Sequence, residues 1–217
     1  MSRQTSQQRA RGYSVLEVIL ATGIFTVFAA GLFQLLLTLQ AAQDRQGRQL
    51  TRLQGARAPL QQMLGELRLV GYPARNNFAS PPAPGLIADG FLEATANSLV
   101  FEADLDADGV VERIEYRVSA DGRNLRRQLF RKQADGTLLG PLTSEDSFVQ
   151  NMANQTLAAP LPVFSWDTNP GSAELFPNNI SIAYVALAIE VPLNPRNPEK
   201  KKILYLAGAA RRINPSQ

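Results

Sequence analysis

Between Val18 and Gln43 the chain carries no charged residue. The apolar core of that run, Val18–Leu39, has the length a helix needs to cross a bilayer, about 20 residues. It is apolar around every face rather than along one stripe. A helix of this kind belongs in lipid or among like helices, not on the surface of a soluble domain. A secretory signal has a shorter apolar region, roughly 7–15 residues, and a small-residue cleavage site after it. This run is longer, and no convincing site of that type follows.

Helical composition continues past the apolar run. From Ala41 to Leu69 the chain is rich in Gln, Arg, Leu and Ala. Leu50, Leu53, Leu60, Leu64 and Leu67 recur at three- to four-residue multiples and predict one apolar stripe. Pro59 lacks an amide hydrogen and is expected to kink the helix. Gly71, with Pro73 after it, is a natural stop. A helix from Tyr13 to Val70 would be about 85 Å long at 1.5 Å per residue.

After Gly71 the period changes. Asn76–Pro84, NNFASPPAP, reads as a loop. Ser98–Asp104, Val110–Val118 and Leu125–Lys132 read as strands. In the second, Ile114, Tyr116 and Val118 alternate with Arg113, Glu115 and Arg117. Later strands are predicted near Val163–Trp166, Ile180–Val191 and Ile203–Arg211. Gly140–Pro160 is weakly patterned, with a short helix expected near Glu145–Asn154. Phe164 and Trp166, at strand spacing, are expected in the core. The fold class is therefore α+β: a long N-terminal helix packed on an antiparallel β-sheet head.

Composition removes many activities. The chain has no cysteine and no histidine. Disulfides, thiolate nucleophiles, Cys/His zinc sites and Ser-His-Asp machinery are excluded. Ser144 and Ser147 have no base, and the adjacent Glu145 and Asp146 read as surface. No enzyme is expected. Three basic residues, Arg3, Arg9 and Arg11, precede Tyr13; with them set aside, basic and acidic residues balance at 19 each. Overall charge gives nucleic-acid binding no support. The clusters Arg123, Arg126, Arg127, Arg131, Lys132 and Lys200, Lys201, Lys202 read as solvated faces.

Glu17 is the one charge inside the leading edge of the apolar stretch. It follows a short, basic, polar segment ending in Gly12. This arrangement resembles the start of a type IV prepilin. There a basic leader ends in Gly, and the mature chain carries Glu as its fifth residue. The resemblance implies that a membrane prepilin peptidase cuts after Gly12 and methylates the new amine on Tyr13. The family usually begins its mature chain with Phe, so Tyr13 is an aromatic departure. LRLVGY and SLVFEADLDADGVVERIEYRVSADGRNLRRQLF are similar to the helix end and central hairpin of PilW/PulJ-type minor pilins. ILYLAGAARRI is similar to their last strand. From Gly140 to that strand the resemblance is weak.

Physical chemistry supplies a reason for Glu17. An acidic side chain at the centre of a membrane helix costs about 2.5–3.5 kcal/mol on insertion scales, and such groups normally have a partner. Near a helix start the backbone dipole favours negative charge. In a pilin-like filament core, the positive amino terminus of a neighbouring subunit would neutralise Glu17 and help to set axial register. Glycines Gly23 and Gly31 permit close helix approach. The three leader arginines are offset by Arg45, Arg48 and Arg52 beyond the run. Orientation therefore follows from the resemblance, not from the charge rule.

One further motif stands out. DLDADGVVERIE, Asp104 to Glu115, has the D-x-D-x-D-G-x5-E pattern of a calcium loop. Asp104, Asp106 and Asp108 would give side-chain oxygens and Val110 a backbone carbonyl. Glu112 would act directly or through water, Glu115 would be bidentate, and Gly109 would make the turn. The flanks read as strands, so this is not a helix-loop-helix sensor, and Glu115 need not reach back. A polar hairpin turn is the plain alternative. Calcium, if bound, would be structural.

The domain organisation expected is 1–12 leader, 13–40 transmembrane or filament-core helix, 41–75 extracytoplasmic half of the helix and 76–217 β-rich head. The function implied by the resemblance is that of a minor pilin, or of a type II secretion pseudopilin. Its partners would be prepilin peptidase, major and minor pilins and the inner-membrane assembly platform. It would sit as a single-pass inner-membrane protein and then in a pilus at the cell surface. The alternative is a membrane-tethered calcium- or ligand-binding module that is not built into a filament.

Overall fold

The computed structural model describes residues 14–80, 82–172, 174–194 and 197–213. Among the described residues one α-helix, α1 (Val15–Leu69), and two single-turn 3-10 helices, Arg75–Asn77 and Pro84–Leu86, lead into eight strands. The chain divides into two compact units within α1, one ending at Arg48 and one beginning at Gln49.

The first unit is the apolar part of α1. Val15–Gln43 is long and apolar enough to cross a membrane, and none of it is buried within the chain. Its hydroxyls are satisfied by its own backbone. Thr22 Oγ1 donates to the Val18 carbonyl at 2.5 Å, Thr26 Oγ1 to Thr22 at 2.7 Å, and Thr38 Oγ1 to Leu35 at 2.7 Å. An unpaired hydroxyl in an apolar medium would cost several kcal/mol, so this stretch is chemically ready for lipid or a helix bundle.

The second unit is α+β. Strands β1 (Phe91–Thr95), β2 (Ser98–Ala103), β3 (Glu112–Val118), β4 (Leu125–Lys132) and β5 (Leu138–Val149) form a sheet in sequence order. A second sheet has the order β6 (Phe164–Thr168), β7 (Ile180–Asn194), β8 (Asn197–Arg211). All pairings are antiparallel. The last turns of α1 bury Ala56, Leu60, Met63, Leu64 and Leu67, with Val70 just beyond, in one core with both sheets. Phe101, Tyr116, Phe148 and Phe164 form a connected aromatic centre, with ring centroids 5.6–6.4 Å apart. This is the pilin-like α+β architecture expected.

The leucine stripe is confirmed only in part. Leu60, Leu64 and Leu67 are core, Leu50 is 58% exposed, and the side chain of Leu53 lies outside the described ones. The helix runs through Pro59 and ends before Gly71. Gly71 has φ +78, and a Cβ there would overlap the Arg212 guanidinium. Arg212 Nε in turn donates to the Val70 carbonyl at 3.0 Å, and the Ile213 amide to the Arg68 carbonyl at 3.1 Å. The residues after β8 thus cap the helix end, satisfying carbonyls that no intrahelical donor reaches.

The expected helix near Glu145–Asn154 is corrected: the first half of this stretch completes β5 and the rest is a turn region with a bridge from Met152 to Ile189. The strand β1 was not predicted. Its short FLEAT run is recognisable only through its pairing with β2. Phe164 is buried and Trp166 partly so, as expected.

Candidate functional site

Two places carry candidate residues. At the start of α1, the Ser14 hydroxyl accepts the Leu16 amide at 3.2 Å, and the Ser14 carbonyl accepts the Glu17 amide at 3.0 Å. Ser14 is therefore the N-cap and Glu17 the third helical residue, the S-x-x-E spacing of a capping box. The sequence reading missed Ser14, although that spacing shows it. Glu17 is exposed in the first turn, where the macrodipole favours its charge. Gly12 and Tyr13 lie outside the described residues.

The second place is the turn between β2 and β3. Asp104, Asp106 and Asp108 each offer a carboxylate oxygen within 4.8 Å of the others. The turn shapes itself through its own side chains. Asp104 Oδ2 accepts the Gly109 amide at 3.1 Å, Asp106 Oδ1 the Asp108 amide at 3.2 Å, and Asp108 Oδ1 the Val110 amide at 2.8 Å. Gly109 supplies φ +82, which an L side chain adopts at a cost.

Three carboxylates this close repel one another, and Asp104 is 5% exposed. Its Oδ1 is buried with no hydrogen-bond partner among the described residues. A buried carboxylate oxygen without a donor is costly, and a cation would remove that cost. On the exposed side of the cluster the Arg131 guanidinium meets Asp108 Oδ2 at 3.2 Å. The cluster is therefore a set of hard oxygen donors able to coordinate a divalent cation.

Glu112 and Glu115 part company. Glu112 is buried at the start of β3, and its Oε2 accepts the Leu105 amide at 3.0 Å. Burial pushes its carboxyl above the ordinary value; the Leu105 amide works against that, and the charges of Asp106, Asp108 and Asp104 add to it. It stands beside the cluster as a brace of the turn. Glu115 is not placed there. It lies three residues further along β3 and pairs with Arg117 at 3.3 Å. On a helix that offset would keep the two glutamates on one face, but on a strand it puts them on opposite faces. Val110 follows Gly109 within the loop, half-buried.

The basic cluster of β4 is not one solvated face. Arg127 and Lys132 are buried. Arg127 holds Glu66 of α1 at 2.7 Å, and Lys132 holds Glu102 at 2.7 Å and Asp89 at 2.9 Å. Arg126 and Arg123 face outward toward Asp146 at 2.8 Å and Glu190 at 3.7 Å. These charges bind the head together. Glu66 was missed because a lone Glu on a helix reads as solvent-facing; its place in the leucine stripe, two residues after Leu64 and one before Leu67, was the available signal.

Comparison with protein-family models, with curated proteins and with solved structures found no match to the chain.

Proposed function

We propose that the protein is a filament subunit of the minor pilin or pseudopilin kind, made as a prepilin and carried by one membrane-crossing helix. The observation that carries this reading is the stem. Val15–Gln43 carries no charge beyond Glu17, and none of it is buried by the described residues of its own chain. Such a surface requires lipid before assembly and other helices after it. Capping and the macrodipole favour a carboxylate at the third helical position of any helix; a bundle of like helices would in addition give it a partner in a neighbour's amino terminus. Processing after Gly12 and methylation of Tyr13 belong to the same reading. So do its partners: prepilin peptidase, other pilins and the inner-membrane assembly platform. In this reading the head makes subunit contacts and is assigned no enzymatic role.

The test is incorporation. Wild type and Glu17→Ala are expressed at equal membrane levels, and sheared filaments are assayed for the protein. The reading predicts that wild type is recovered in filaments and that the variant is depleted at least several-fold. Equal recovery of the two would remove the role given to Glu17.

A second reading concerns the loop and is favoured by the orphaned Asp104 Oδ1. We assign Asp104, Asp106 and Asp108 to calcium, with Glu112 bracing the turn. The donors are all oxygen, which suits a hard cation. Calcium here would order the β2–β3 turn rather than take part in chemistry. If the stem proves to be an anchor only, this site would belong to a tethered binding module.

A further inference from the structure

The calcium loop is joined by main chain to the end of α1. The Asp104 amide donates to the Tyr72 carbonyl at 2.8 Å, and the Gly71 amide to the Glu102 carbonyl at 2.9 Å. The end of β2 thus continues its pairing into the two residues that terminate the helix. Asp104 is common to both arrangements: its amide holds Tyr72 and its carboxylate belongs to the cluster. On the other side Arg131, from β4, places its guanidinium 3.2 Å from Asp108 Oδ2. Arg131 and Asp108 are 45% and 42% exposed, so this pair is solvated and exchanges readily.

We propose, resting on the cation reading above, that a divalent cation competes with Arg131 for Asp108 and, by fixing Asp104, secures the end of α1. Arg131 is the loop's built-in counter-charge. It offsets part of the repulsion among the three aspartates and must yield when a dication arrives. The buried Asp104 Oδ1 lies beyond the reach of any described donor, so the arginine cannot replace the cation there. Binding then stiffens Asp104, and its amide carries that stiffness to Tyr72 and, through Glu102, to Gly71. The cation site is in this way a control on how firmly the head holds its helix end, responsive to calcium outside the membrane.

The experiment uses the full chain in detergent, with calcium titrated by calorimetry and amide hydrogen exchange followed with and without calcium. Arg131→Gln is expected to bind calcium about two- to fivefold more tightly, the range of an exposed ion pair. Arg126→Gln, on the same strand but paired with Asp146, is expected to bind like wild type. Exchange at the Gly71 and Asp104 amides is expected to slow at least several-fold on calcium addition. Asp104→Asn is expected to lose both binding and protection. Calcium binding that Arg131→Gln leaves unchanged or weakens would overturn the competition. Calcium binding without slower exchange at Gly71 and Asp104 would overturn the coupling while leaving the site intact. No calcium binding by wild type would remove the cation reading and this inference with it.

Discussion

The Arg127 guanidinium holds the Glu66 carboxylate at 2.7 Å, with the two side chains only 7% and 10% exposed. Tyr116 donates its hydroxyl to the same carboxylate. One buried group on α1 thereby ties the helix to β3 and β4. Glu66→Ala should cost about 3 kcal/mol, because it removes the closest counter-charge of a buried arginine and leaves only Glu145 at 4.0 Å. Glu93→Ala, which breaks the exposed pair with Arg117, should cost at most about 1 kcal/mol. Denaturant unfolding of the full chain in detergent measures both. Equal losses would contradict the helix-to-sheet role of Glu66.

Alkaline pH should loosen the head. Burial, with the Glu66 carboxylate adding to it, pushes the Tyr116 hydroxyl well above its ordinary value of 10.0. Burial alone would lower Lys132, but its hydrogen bonds to Glu102 and Asp89 outweigh that and hold it above 10.5. In both cases the folded state keeps a proton that the unfolded chain releases. Their stabilisation is therefore complete below about pH 10 and is lost as pH rises toward the folded values. The unfolding midpoint should be flat from pH 8 to 9.5 and fall above pH 10. Tyr116→Phe should fall less steeply; an identical slope in that variant would count against the assignment.

Gly208 of β8 lies against α1. A Cβ at this position would overlap Leu64 Cδ1, and Leu64 is a core residue. Gly208→Ala should cost about 1–3 kcal/mol by overpacking. Combining it with Leu64→Ala should cost less than the sum of the two single changes, since the added methyl fills space that Leu64 vacates. A strictly additive double variant would show that the two residues do not share that space.

Glu17→Ala should insert into membranes at least as well as wild type, since it removes a charge from an apolar helix. Quantifying its membrane-integrated fraction, beside its recovery in filaments, separates an assembly defect from an insertion defect. Poor insertion of the variant would mean that Glu17 serves the membrane step.

The legible part of this protein was its periodic part. An apolar run without charges from Val18 to Gln43, alternation across Ile114, Tyr116 and Val118, and Gly71 before Pro73 are local signals, and the structure carries each as helix, strand or stop. Elements specified by distant partners were not legible. β5 is almost entirely exposed as an edge strand, so it lacks the alternation of a half-buried one. Arg212 caps the end of α1 through the carbonyl of Val70, 142 positions earlier, and no window of sequence contains both. At the site, the pattern from Asp104 to Glu115 correctly grouped the three aspartates. Glu115, which the bare pattern adds and which strand flanks need not bring back, is turned away by β3 and pairs with Arg117. The charges of β4 looked alike in sequence; burial separates Arg127 and Lys132 from Arg126 and Arg131.

The most direct test of the filament account is the mature amino terminus. Protein purified from its native membrane, in cells with an active prepilin peptidase, is analysed by intact mass and N-terminal fragmentation. The account predicts a chain that begins at Tyr13 and carries one added methyl group. A chain that retains Met1 to Gly12 would contradict it and leave a tethered cation-binding module in its place.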